Sequence, residues 1–335
     1  MFKKGFDYEK YIYAQKAEVF KRLNRFDRLY LEFGGKLYYD GHASRVLPGY
    51  KKNTKIKLLK ELGDFDLIYC VNSKELAYKR VSNDFNLTYF KQTIKDIKEI
   101  EKAGFKVSYV IITRYEGEQE ARDLKRKLEK KGRRVLFHFE IKDYPSDLEK
   151  VLKGYSEQPF VHLKHKLVIV TGAAGGSGKM AVCLSQIYNE SRSGMKTGFA
   201  KFETFPIWNL PLSHPINIAY EAATADLGDK NMFDPYHLKA YKKKVVNYNR
   251  DIENFAILQK IAQKITDKKY PFGYKSPTDM GINMASTGII NDEICRKAAI
   301  KEIHKRYKTY LKEYAKGREK IETIERMKKI LKKIS

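Results

Sequence analysis

Along this chain, short β-branched and aromatic runs alternate with longer stretches whose apolar residues recur every three or four positions. The first pattern is that of a buried strand, the second that of an amphipathic helix. Tyr8, Ile12, Val19, Leu23 and Phe26 mark one face of an opening helix. Leu29-Tyr30-Leu31-Glu32-Phe33 then predicts a strand that ends at Gly34-Gly35. A helix near Thr54 to Leu62 leads to a strand at Leu67 to Val71. A helix from Phe90 to Ala103 stops at Gly104, which accepts the left-handed conformation past a helix end, before a strand at Val107 to Ile112. The helix Glu118 to Lys131 stops at Gly132 in the same way, before Val135 to Phe139. Val168-Ile169-Val170-Thr171 opens one more strand, and Met180 to Tyr188 the helix after it.

Beyond about residue 200 the pattern changes. Lys201 to Pro215 is aromatic and proline-rich, too irregular for one helix. Helices are predicted at Ile216 to Ala225, Pro235 to Lys244 and Asp251 to Ile265, followed by a polar, turn-rich segment at Tyr274 to Asn283. Ile303, Tyr307, Tyr310, Leu311 and Tyr314 form a helical stripe, Gly317 interrupts it, and Ile321, Ile324, Met327, Leu331 and Ile334 form another. The expected class is therefore α/β, a mostly parallel, helix-covered sheet with a phosphate-loop-like turn, followed by a mainly helical module. The expected division is 1–212 for the first part and 213–335 for the second. The two C-terminal stripes read as core or as a self-association surface, with a basic membrane-surface helix as the alternative.

Between the strand at 168–171 and its helix lies Gly172-Ala173-Ala174-Gly175-Gly176-Ser177-Gly178-Lys179. Glycines let a backbone curl so that successive N–H groups point inward, and a helix N-terminus adds partial positive charge. Lys179 adds a full charge. Gly175, Gly176, Ser177, Gly178 and Lys179 are thus the candidate phosphate-binding residues, with ATP or another nucleotide as the expected ligand. The strict pattern has a glycine, four residues, then Gly-Lys-Ser/Thr. Here Ala173 stands at the leading position, and Met180 replaces the hydroxyl that would meet Mg²⁺. A thioether is a poor ligand for that hard cation, so either other groups hold the metal or the ligand binds without it. A tight turn in which the glycines serve packing alone remains the other reading.

In parallel sheets, ligands bind outside the carboxyl ends of the strands. Those ends carry Gly34-Gly35-Lys36, Asn72-Ser73-Lys74, Thr113 to Gly117, Lys142-Asp143-Tyr144 and the Gly175 to Lys179 turn. Arg114 is the candidate second phosphate contact, because a guanidinium grips phosphate oxygens in pairs; a surface ion pair with Glu116 or Glu118 is its alternative. The segment that follows concentrates Glu203, His214, Glu221, Asp226, Asp234, His237, Arg250 and Asp251. Phosphoryl transfer needs a carboxylate for a metal or a nucleophile, and Asp226 and Asp251 are the candidates. His214 and His237 lack zinc-site spacing, and no serine- or cysteine-nucleophile motif is present.

Charge and cysteines narrow the class. Hydrophobic residues make up 42% and charged residues 32%, a folded rather than a disordered balance. No run of about 18 apolar residues suggests a membrane span, and the acidic, polar start argues against a signal peptide. Cys70, Cys183 and Cys295 are far apart, which predicts reduced, buried thiols in a cytoplasmic protein. The net charge is +26. It permits a nucleic-acid partner, but lysines mixed with Glu and Asp on helices such as Lys91 to Lys102 read equally as solvated surface. The alternative function is accordingly a non-enzymatic, basic nucleic-acid-binding or assembly protein.

Taken together, Gly5-Phe6-Asp7, Leu31 to Leu37, His42 to Gly49, Ile112-Thr113-Arg114-Tyr115, Gly176-Ser177-Gly178-Lys179, Lys201 to Asn209, Tyr220 to Leu227, Asn247 to Asp251 and Lys275 to Gly281 resemble the bacterial family catalogued as domain of unknown function 1846. The resemblance covers nearly the whole chain. It implies an additional C-terminal α/β domain in typical members, and binding without turnover here if that domain completes the active site. The glycine turn of the family tends to contain proline, where this chain has alanines.

Overall fold

The computed structural model describes residues 4–35, 37–82, 87–266 and 271–334. Seven parallel strands form one sheet: β1 Arg28–Phe33, β2 Phe65–Asn72, β3 Tyr109–Tyr115, β4 Val135–Phe139, β5 Leu167–Gly172, β6 Thr197–Phe202 and β7 Gly281–Ile282. Their spatial order is β7-β6-β1-β5-β2-β3-β4. Every residue of β5 and β6 is buried, and so is every residue of β1 after Arg28. That is the signature of strands covered on both faces.

The connections decide where a ligand would go. From β1 the chain runs to β2 on one side, whereas from β5 it runs to β6 on the other. Parallel crossovers are right-handed, so the two connecting segments lie on opposite faces of the sheet. On one face Leu148–Glu157, Lys179–Arg192 and Asn249–Thr266 pack together; on the other, Thr54–Glu61 packs against Tyr8–Leu23. In parallel sheets the crevice that takes a ligand forms where the winding reverses, which here is outside the carboxyl ends of β1 and β5. Residues 34–35 and 173–178 sit at that point.

Residues 213–334 are mainly helical, and they also supply β7 at the sheet edge. Asp292–Ala315 packs on Pro215–Ala223, and Ile321–Leu331 packs on both of them. Ile303, Tyr310, Ile324, Met327 and Ile330 are buried in the core shared with the sheet. The C-terminal stripes are thus largely used within the chain, while Leu311, Tyr314 and Ile321 remain exposed. No described helix is long and apolar enough to cross a membrane. All three cysteines are free and buried.

Two strands of the sheet are missing from the sequence reading. β6 is hidden in the sequence by Gly198 and Lys201. A Cβ at Gly198 would come within 2.5 Å of the Phe26 ring, and the charge of Lys201 is neutralised inside the fold. β7 is only two residues long, within the segment read as turn-rich. The strand predicted at Val107 begins instead at Tyr109 and runs to Tyr115, with a register shift where Arg114 takes a φ of 54°. Leu148–Glu157 is a further helix, begun by an Asp147 side chain that accepts from the Lys150 amide.

Candidate functional site

Past β5 the chain turns sharply, and neighbouring strands fix the turn. The Ala173 amide donates to the Cys70 carbonyl over 3.1 Å. Asn72 Nδ2 donates to the Gly176 carbonyl over 3.1 Å, and Thr113 Oγ1 to the Ser177 carbonyl over 2.9 Å. The ends of β2 and β3 therefore hold the turn from the side. Gly178 has a φ of 78°, and a Cβ there would lie 2.7 Å from Thr113 Oγ1. Gly175 and Gly176, by contrast, are exposed with open space around them. Lys179–Arg192 then begins without a side-chain cap on its first N–H groups. An uncapped helix start carries partial positive charge and free donors.

Lys179 is 7% exposed. Its Nζ donates to the Ala174 carbonyl over 3.3 Å, so the side chain folds back across its own turn. It also lies 3.6 Å from Glu32 Oε1, at the end of β1. The other Glu32 oxygen, Oε2, is buried without a hydrogen-bond partner among the described residues.

One strand further along, Lys201 stands in register with Glu32. Its Nζ donates to both Asp251 oxygens, over 2.6 Å to Oδ1, and over 2.9 Å to the Tyr248 hydroxyl. Glu203 Oε1 is 3.5 Å away. Burial alone would lower the Lys201 ammonium, but Asp251, with Tyr248 and Glu203, holds it well above its ordinary value. Burial pushes the Glu203 carboxyl up to about 8; Lys201 opposes the rise and Asp251 adds to it. With Glu203 protonated, Lys201 and Asp251 balance, and so do Lys179 and Glu32. The rim then carries no uncompensated buried charge.

This arrangement has a sign in pH. Because Glu203 is raised from 4.5 to about 8, the unfolded chain ionises it across that window and the folded chain does not. Its contribution to stability is present below the lower value and is lost progressively as pH rises through the upper one. Glu203→Gln is expected to gain melting temperature relative to wild type as pH increases from about 4 to about 8, by fluorescence-monitored unfolding. Parallel pH profiles for the two proteins would contradict the assignment.

Of the residues singled out from sequence, Asp251 reaches the rim, where it is committed to Lys201. Arg114 is on the rim at the end of β3, but it is engaged with Glu140 through two bonds of 2.8 and 3.0 Å. Glu116 and Glu118, its expected partners, are taken by Lys74. Asp226 sits on the turn Ala225–Leu227 and accepts from the Tyr310 hydroxyl over 3.1 Å, which ties it to the helix Asp292–Ala315. His214 Nδ1 accepts from the Ile216 amide and its Nε2 meets Asp292, so it serves as a helix cap. His237 Nδ1 meets Ser276 Oγ at 2.9 Å. Lys36 lies outside the described residues. Glu32 and Lys201 belong to no motif, although each is a charged residue set in an apolar strand, which is an informative exception.

Among the described residues no three His, Cys, Asp or Glu side chains converge to hold a metal ion. On the surface helices, Glu99 with Lys102, Glu129 with Lys125 and Asp123 with Arg126 form local ion pairs. Part of the lysine excess is thus solvated surface.

Similar proteins place the chain. A UPF0371 protein of Clostridium tetani is 46% identical over 330 residues, which cover 98% of this chain and 65% of the relative. A UPF0371 protein of Fusobacterium nucleatum is 45% identical over 330 residues, with the same coverage of 98% and 65%. One of Clostridioides difficile is 44% identical over 336 residues, covering 99% of this chain and 67% of that protein. The chain therefore spans about two thirds of the length of these curated relatives, 65% for the first. A sequence model described as "Domain of unknown function DUF1846, N-terminal" matches residues 4–335, and the chain belongs to that family.

Proposed function

We propose that the crevice between β1 and β5 binds the phosphate groups of a nucleotide or a phosphorylated metabolite, as the binding step of phosphoryl transfer or hydrolysis. The observation that carries this reading is the position of Lys179. A nearly buried ammonium lies across a glycine-rich turn, beside an uncapped helix start, at the point where the sheet's winding reverses. The Ala174 carbonyl and Glu32 hold Lys179 where phosphate oxygens would meet it. An entering phosphate would draw Lys179 off that carbonyl and accept from the N–H groups between Gly175 and Met180. Asp251 supports the site by fixing Lys201, and Arg114 would assist after leaving Glu140.

Calorimetric titration with ATP, ADP and a set of phosphorylated metabolites tests the reading. Wild type is expected to bind at least one of them. Lys179→Ala should weaken that binding roughly 10- to 150-fold, the factor for losing about 1.5–3 kcal/mol of a hydrogen bond to a charged group. Undiminished affinity in the variant, or no binding by wild type, would contradict it.

A further inference from the structure

We propose that Glu32 is the protein's oxygen ligand to a hard divalent cation, Mg²⁺ or Mn²⁺, that enters together with the ligand's phosphates. This inference rests on the phosphate-binding reading and goes beyond it by assigning the metal site.

The difficulty it resolves begins at Met180. The residue after Lys179 offers a thioether where a hydroxyl oxygen would suit Mg²⁺, so a metal ligand must come from another element. β5 lies between β1 and β2, and on β1 Glu32 pairs with Val170. Its carboxylate reaches the crevice with Oε1 3.6 Å from Lys179 Nζ. Oε2 is buried and unpartnered among the described residues, and the residue as a whole is 8% exposed. Buried carboxylate oxygens are rarely left without a donor, because their desolvation is costly. Its sister oxygen Oε1 lies 3.6 Å from Lys179, the first residue of a helix without a side-chain cap.

Charge balance supplies the second argument. Lys179 is the ammonium beside Glu32. When phosphates take that ammonium, a buried carboxylate is left next to a polyanion, and two like charges in low dielectric repel strongly. Lys201 cannot replace Lys179, because its donors go to both Asp251 oxygens and to Tyr248. A divalent cation between the carboxylate and the phosphate oxygens removes the conflict.

Donor chemistry selects the metal. Mg²⁺ characteristically takes one or two carboxylates, phosphate oxygens and several waters rather than a full protein cage. That matches a site with one free carboxylate oxygen and no convergence of three protein ligands among the described residues.

The experiment titrates ADP and ATP into the full chain, with Mg²⁺ or with EDTA, for wild type, Glu32→Gln and Glu32→Asp. Wild type is expected to bind the nucleotide at least tenfold more tightly with Mg²⁺. In Glu32→Gln the ratio should fall to about one, while metal-free binding holds or improves because the repelling carboxylate is gone. Glu32→Asp keeps the charge and should retain part of the Mg²⁺ effect. With Mn²⁺ in place of Mg²⁺, its electron-spin resonance signal should report a bound ion only in the presence of nucleotide, and not in Glu32→Gln. Wild-type binding that is indifferent to metal, or a full metal effect in Glu32→Gln, would overturn the assignment of Glu32 and leave the phosphate site standing. Absence of nucleotide binding by wild type, with metal and without, would overturn both readings.

Discussion

Asp251→Ala is expected to cost about 3–5 kcal/mol of folding stability, the range for removing one partner of a buried ion pair. Lys201 donates to both Asp251 oxygens, and both residues are buried where β6 meets the helix Asn249–Thr266. Without the carboxylate, the buried ammonium keeps only the Tyr248 hydroxyl and Glu203, whose carboxyl loses the part of its upward shift that Asp251 supplies. Asp251 also stands in the first turn of its helix, where negative charge meets the positive end of the dipole. Urea unfolding should show a large fall in midpoint with little change in slope. Asp226→Ala provides the contrast. It removes a single bond from the Tyr310 hydroxyl at the edge of the C-terminal helices and should cost about 1 kcal/mol. Replacing both members of the ion pair, as in Lys201→Met with Asp251→Leu, should recover much of the loss, because two apolar side chains leave no charge unpaired. A loss below about 1 kcal/mol for Asp251→Ala would mean that the pair is not enclosed as described.

The second large effect concerns the turn. Gly178→Ala places a Cβ at a φ of 78°, which costs roughly 1–2 kcal/mol, and drives it to within 2.7 Å of Thr113 Oγ1. That hydroxyl is fixed by its bond to the Ser177 carbonyl, so the clash cannot be relieved without releasing the turn. The combined loss should be about 2–4 kcal/mol once overpacking is included. Gly175→Ala meets open space at a residue without a positive φ and should change stability by less than about 0.5 kcal/mol. Thermal unfolding of the two variants side by side measures the difference. Equal losses at the two positions would show that the turn is not held by Thr113.

Much of this architecture was legible because strands buried on both faces read as apolar runs. Leu29 to Phe33, Leu67 to Val71 and Val168 to Thr171 all announce themselves in that way. Gly104 and Gly132 end helices where the sequence places them, with φ values of 94° and 73°. β6 escaped because Lys201 breaks its run, and the partner that allows the lysine, Asp251, lies 50 residues further on. Long-range pairing of this kind leaves no local pattern. β7 escaped for a different reason: two residues cannot establish a period.

The candidate site was legible where chemistry is local in sequence and obscure where it is assembled across strands. The glycines and Lys179 are contiguous, so the turn could be read directly. Glu32 is 147 positions from Lys179 and reaches it only because β1 inserts between β5 and β6. The place of Arg114 on the rim follows from the strand pattern, but its Glu140 partner comes from the next strand's end, beyond any i to i+4 spacing. Composition alone points to Asp226, and the helix Asp292–Ala315, which supplies Tyr310, draws it to another part of the molecule.

The central claim is that the turn after β5 holds phosphate through its backbone. Hydrogen exchange of the full chain, with and without saturating Mg²⁺–nucleotide, tests this most directly. Slowed exchange is expected to concentrate in the amides from Gly175 to Ala181 and to be lost in Lys179→Ala. Bound nucleotide that leaves those amides unprotected, or that protects a different segment, would contradict it.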